Sequence, residues 1–177
     1  MIDKQIHMKK VFAFFFSLLA FTAMAQQDKA SRPSPPAQAK ATVGSKTITI
    51  DYSQPAVKGR NVWDPAGKIA PYGQVWRTGA NETTAIDFSD DVKLEGKDVP
   101  KGKYALFTIP GEKEWIIILN KTIKWGAFSY KQDEDVLRVT VPAKKAKSFT
   151  EKFTIDITPK GVVSLTWADA TASFTVK

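Results

Sequence analysis

Apolar and polar residues alternate with a period of two through most of this chain, and helical spacing is nowhere sustained. Ile48, Ile50 and Tyr52 alternate with Thr47, Thr49 and Asp51, as a half-buried β-strand requires. The same pattern recurs at Ile86 and Phe88, at Leu137, Val139 and Val141, at Phe153, Ile155 and Ile157, at Val163, Leu165 and Trp167, and at Phe174 and Val176. Trp115-Ile116-Ile117-Ile118-Leu119 does not alternate, which predicts a strand covered on both faces. Between the runs, Pro100-Lys101-Gly102 and Pro159-Lys160-Gly161 put proline where φ is preset and glycine where a positive φ is tolerated. Pro110-Gly111 fits the two central positions of a type II turn. Strands near 103–109, 114–119, 135–141, 149–157, 162–167 and 171–176 are therefore expected as successive antiparallel neighbours. The expectation is an all-β, antiparallel β-sandwich of barrel-like form with about ten short strands. A membrane-spanning barrel fits poorly, because its strands need about 9 to 11 residues with an unbroken apolar outer face, and prolines interrupt these runs.

The N-terminus reads as an export signal. Lys9 and Lys10 precede an apolar stretch over residues 11–25 that closes with Ala23-Met24-Ala25, a small-x-small cleavage site. A spanning helix needs roughly 20 apolar residues, and the chain turns polar at Gln26-Gln27-Asp28. Residues 1–25 are thus expected to be a signal peptide, with Met8 an alternative start, and the mature chain to begin at Gln26. Residues 26–45 contain Ser31-Arg32-Pro33-Ser34-Pro35-Pro36 among Ala, Gln and Lys, which predicts a flexible tether before a single domain over 46–177.

Cleavage would remove His7, the sole histidine of the 177-residue chain, which has no cysteine. Ser-His-Asp and Cys-His catalysis, thiolate or imidazole zinc sites, disulfides and a lipidated cysteine are then all unavailable. No cofactor, metal or lipid anchor is expected, and the location should be periplasmic or secreted. The formal net charge is +8. Lys144-Lys145-Ala146-Lys147 reads as a solvated basic turn without a nucleic-acid motif, so no nucleic acid is expected as a partner.

The stretches RPSPPA, ITIDYSQPAVKGRNVW, APYGQVWRTGANETTAIDFSDDV, GKYALFTIPGEKEWIIILN and WGAFSYKQDEDVLRVTV resemble a family of exported bacterial proteins, domain of unknown function 2911. The resemblance covers residues 31–177 and implies an exported, β-rich domain with no activity or catalytic residues to carry over.

Candidate site residues come from loop chemistry. Gly79 and Asn81 tolerate left-handed backbone, so 78–82 is expected to be a tight loop that clusters Arg77, Asn81 and Glu82 at one end of the fold. Two outcomes are distinguishable. In a structural corner Arg77 pairs with a carboxylate, Asn81 bonds backbone and Trp76 packs; in a site Arg77 and Glu82 face solvent. Trp115 and Trp167 read as core. Trp63, Trp125 and Tyr130 lie beside glycine, proline or charge, and if exposed would form a stacking platform for sugar rings, with Asn61, Asp64 and Lys131 bonding hydroxyls. Packing at the ends of the sandwich is the alternative. Carboxylates are the remaining acids and bases, with Glu82 the foremost and Asp64 or Asp87 as partners, though alternation puts Asp87 on a solvent face. Asp133-Glu134-Asp135 lacks the spacing of a calcium loop. The functions in view are an exported non-enzymatic domain binding a glycan, small molecule or envelope protein, a carboxylate-dependent glycan hydrolase, and a structural adaptor.

Overall fold

A computed structural model describes residues 29–124 and 130–177. Residues 1–25, the expected signal peptide, and Trp125 lie outside the described residues. Among the described residues nine strands follow in order: β1 (Pro36–Val43), β2 (Lys46–Ser53), β3 (Ala85–Phe88), β4 (Val92–Leu94), β5 (Lys97–Val99), β6 (Gly102–Ile109), β7 (Glu114–Asn120), β8 (Asp135–Ile157) and β9 (Val162–Thr175). Seven form one antiparallel sheet in the order β1-β2-β3-β6-β7-β8-β9, and β4 with β5 forms a separate hairpin. That hairpin turns on Glu95 (φ 48) and Gly96 (φ 80), the pair of positive φ values that matches strand twist in a two-residue turn.

The sheet curls until its far parts meet. β8 pairs with β7 through its first half and with β9 through its second, and that second half also bonds the segment that continues from β2. There the Val57 N–H donates to Glu151 O at 2.8 Å, the Phe153 N–H donates to Pro55 O at 2.9 Å, and Ala56 bridges Lys152. The architecture is all-β and antiparallel, as the alternation predicts. Two of its strands are long rather than short, however. The runs expected at 135–141 and 149–157 are one bent strand, and those at 162–167 and 171–176 are another. Register shifts within 145–154 and a left-handed Ala168 (φ 51) let the ladder bend without breaking.

Burial follows the pleat. In β7, Trp115, Ile117 and Leu119 enter the main core, while Ile118 packs on the other face with Ala105 and Phe107. This is the two-sided strand that its unbroken apolar run predicts. Ile117→Ala should cost about 2 to 5 kcal/mol in urea unfolding, and a loss under about 1 kcal/mol would place Ile117 at the surface.

The expectation of a tether reaching residue 45 is corrected, because residues 36–43 form β1 and pair with β2 from Pro36↔Ser53 to Val43↔Lys46. Proline opens this strand, where a missing N–H is tolerated. The type II reading of Pro110-Gly111 is corrected as well. Gly111 is not among the positive-φ residues, and its requirement is closeness instead: a Cβ there would lie 2.6 Å from Glu114 O.

Candidate functional site

The loop from Gln54 to Thr84 carries only isolated bridges, and it folds its apolar residues inward over the curled sheet. Val62, Trp63, Ala70 and Trp76 are all buried in the main core. Trp63 stacks on Tyr72 (5.6 Å, 8°) and meets Trp115 edge-on at 5.3 Å; Trp76 stacks on Trp167 (5.5 Å, 12°) and meets Phe153 at 4.9 Å. Offset and edge-on contacts of this kind stabilise beyond area burial alone. The Trp63 indole donates to Asp169 Oδ1 at 3.3 Å and the Trp167 indole to Glu151 O at 3.3 Å, whereas Trp115 Nε1 is buried without a partner.

This geometry corrects the platform reading of Trp63, which is 6% exposed and offers no free face to a sugar ring. Its neighbours Asp64 and Pro65 are polar or turn-forming, but the turn they make drives the indole inward. Tyr130 is half-buried, meets Phe107 edge-on at 5.2 Å, and its hydroxyl donates to Asp135 Oδ2 at 2.8 Å. Arg138 Nε donates to the same oxygen at 2.7 Å, and Asn120 Nδ2 to Asp135 Oδ1 at 2.8 Å. Asp135 thus anchors the start of β8 through Tyr130, Arg138 and Asn120. Among the described residues no group of three or more His, Cys, Asp or Glu side chains is placed to hold a metal ion.

The loop at 78–82 is as tight as its glycine and asparagine predict. Thr78 (φ 54) and Asn81 (φ 58) are left-handed, and a Cβ on Gly79 would lie 2.9 Å from Thr84 Oγ1 and 3.0 Å from Ser53 O. The Trp76 indole donates to Gly79 O at 3.1 Å, and Thr84 Oγ1 donates to Thr78 O at 2.8 Å. These bonds make the stretch a corner of the fold.

Its three polar residues nevertheless part company. Asn81 Nδ2 donates to Ser34 O at 2.9 Å, and Arg32 Nη1 pairs with Glu82 Oε1 at 2.9 Å, with Lys29 Nζ at 3.7 Å from the same oxygen. Both contacts clamp the segment before β1, which was expected to be flexible, onto the loop. A hydrogen bond from its own backbone N–H, followed by the one from Arg32, holds the Glu82 carboxyl below the usual carboxylate range. Arg77 has no such partner. Among the described residues no carboxylate pairs with it, its Nε is buried without a hydrogen bond, and desolvation lowers its pKa. The pairing expected of Arg77 in a structural corner is therefore corrected: Glu82, the nearby acid in sequence, is taken by Arg32. Arg77→Met should leave stability unchanged or raise it by up to about 1 kcal/mol, since an uncompensated, half-buried charge is replaced by an apolar chain of similar length. A urea-unfolding loss of about 3 kcal/mol or more would show that Arg77 has a buried anionic partner after all.

The clamped segment closes one side of a cleft of about 420 Å³. Lys29, Arg32, Pro36 to Gln38, Asp51 to Ser53, Glu82 and Thr83 line it, so it lies between the segment before β1, the paired ends of β1 and β2, and the corner loop. Asp51 accepts from Gln38 Nε2 at 2.7 Å and has Lys103 Nζ at 3.5 Å. Sequence reasoning found Glu82 but missed Asp51, Gln38, Arg32 and Lys29. The hint was the alternation around Ile48, Ile50 and Tyr52, which marks Asp51 as a side chain on the polar face of its strand.

No curated protein and no solved structure matches this chain. A family model described as protein of unknown function (DUF2911) matches residues 34–176, from just before β1 to the last residue but one. With the match running through every strand of the sheet, the chain belongs to the DUF2911 family.

Proposed function

We propose that the protein is a non-catalytic binding module that seats a small hydroxyl-rich ligand, such as a glycan unit, in the cleft beside Glu82. The observation that carries this reading is the lining: cations from Lys29 and Arg32, carboxylates from Asp51 and Glu82, and the amide of Gln38 converge on a volume within the size range of ligand pockets. Interleaved donors and acceptors suit hydroxyl groups, which do both. Export to the cell envelope, which the N-terminal residues favour, would bring such ligands within reach.

Two carboxylates in one cleft also raise the hydrolase alternative. Glycoside hydrolysis needs one carboxyl held protonated by a raised pKa, while Glu82 is shifted the opposite way. The chemistry of the cleft therefore favours binding over bond cleavage.

A thermal-shift panel of neutral and acidic oligosaccharides and envelope fragments tests the reading. A ligand at a hundred times its dissociation constant should stabilise the wild type by about 2.7 kcal/mol. The shift should vanish in Asp51→Asn combined with Gln38→Ala. No stabilisation by any member of the panel, or stabilisation that survives the double substitution, overturns the reading.

A further inference from the structure

The second half of β8 carries more residues than its partner can match. Lys145 pairs with Ala170 and Thr150 with Ala168, so residues 146–149 face only Asp169 and bulge from the ladder. On this bulge Phe149 is 63% exposed, and among the described residues Ile123 is the one other large hydrophobic side chain left in solvent. An aromatic ring presented this way loses its hydrophobic stabilisation unless something covers it.

Exposed cations flank Phe149 along the chain and on the segment bridged to β8. Lys144, Lys145, Lys147 and Lys152 are exposed on β8, and Lys58 and Arg60 are exposed on the segment that bridges it at Ala56. None of the six forms an ion pair among the described residues, whose salt bridges lie elsewhere. The acids on the same ladder bond neutral donors: Glu151 Oε1 accepts the Lys58 N–H at 2.8 Å, and Asp169 Oδ1 accepts the Trp63 indole N–H at 3.3 Å. Arg60 is pinned by the carbonyls of Ala56 and Val57, at 2.6 and 3.0 Å, which holds its charge beside the bridge between Ala56 and Lys152.

We infer that this face docks on the surface of an anionic phospholipid bilayer, with the lysines over the phosphates and Phe149 inserted at the boundary of the headgroups. The combination selects the occupant. A polyanion such as an acidic polysaccharide satisfies the lysines but offers the ring no apolar medium, and a protein partner would ask for a contiguous apolar patch rather than one ring among cations. A bilayer supplies both a negative surface and an apolar layer a few ångströms beneath it.

Flotation with vesicles of phosphatidylcholine, with and without one third phosphatidylglycerol, tests the inference. The chain from Gln26 onward is used, since it holds every described strand and all of the described core and omits the apolar residues 11–25. Binding should be confined to the anionic vesicles and fall as salt is raised. Phe149→Ser should weaken it about tenfold, and each of Lys144→Gln and Lys147→Gln about fivefold, with the unfolding midpoint unchanged because all three side chains are exposed. Failure to bind anionic vesicles overturns the inference. So does binding that Phe149→Ser leaves intact, which together with retention on dextran sulfate would identify a polysaccharide surface instead. Neither result bears on the cleft, whose lining shares no residue with this face.

Discussion

Trp76→Ala is expected to remove about 3 to 5 kcal/mol of stability, a large part of the about 5 to 15 kcal/mol that a domain of this size possesses. The ring is 3% exposed and touches Trp63, Trp115, Phe153 and Trp167, so no neighbour is free to collapse into the space it would leave. Its backbone exchanges both hydrogen bonds with Thr108, at 2.7 and 2.9 Å, so the chain at this point is held by β6 and cannot follow the missing side chain inward. The indole also supplies the donor for Gly79 O. Trp76→Phe should recover part of the loss by refilling most of the volume while leaving that carbonyl without its donor. Urea unfolding followed by circular dichroism measures both. A loss below about 1 kcal/mol for the alanine variant would mean that the aromatic cluster is not the centre of the core.

Gly161→Ala should be nearly as costly, by a different route. Gly161 has φ +80, and a Cβ on it would overlap the carbonyl oxygen of Val176 and sit 3.1 Å from the Val176 carbon and 3.2 Å from Val43 Cγ1. The left-handed backbone alone costs a non-glycine residue about 1 to 2 kcal/mol, and the overlap adds about 1 to 3 kcal/mol. The turn cannot retreat, because the Gly161 N–H is bonded to Thr158 O and Gly161 O accepts from the Val176 N–H at 2.8 Å. What yields is the stretch just after β9, Val176 and Lys177, which also holds the β4–β5 hairpin through the pairing of Lys177 with Lys93. Gly44→Ala is the control, since Gly44 is also left-handed but a Cβ on it meets nothing within 4 Å. Its loss should stay near the backbone cost, and equal losses at the two positions would show that the crowding at Val176 is absent.

The strands with strong alternation could be read directly from their residues. Ile48, Ile50 and Tyr52 point inward and Asp87 outward, because each half-buried strand repeats its burial at every second residue. Small side chains hid β1. Ala37, Ala39 and Ala41 alternate with Gln38, Lys40 and Thr42, but alanine carries so little apolar surface that prolines and lysines dominated the composition. Trp63 stays open between platform and packing in the sequence, because local chemistry describes the turn and not the direction in which the turn aims its side chain. The continuity of β8 through Lys144 to Lys147 was equally hidden, since a ladder that bends through bulges leaves no period-two signal to follow. Of the candidate cleft, one wall could be anticipated from Glu82, while the other depends on which strands lie side by side.

The curl of the sheet also sets a timetable for folding. Gln54 Nε2 bonds Phe153 O across 99 positions, and the Lys58 N–H bonds Glu151 across 93. Closing so long a span loses chain entropy before any of these contacts forms, which places the protein among domains that fold in about milliseconds to seconds rather than microseconds. During synthesis the β1–β2 hairpin emerges long before the strand that will meet its continuation. Until residue 153 arrives, the edge at Pro55 and Val57 has no partner within its own chain, and a nascent or briefly opened molecule is most exposed to pairing with another copy at that edge.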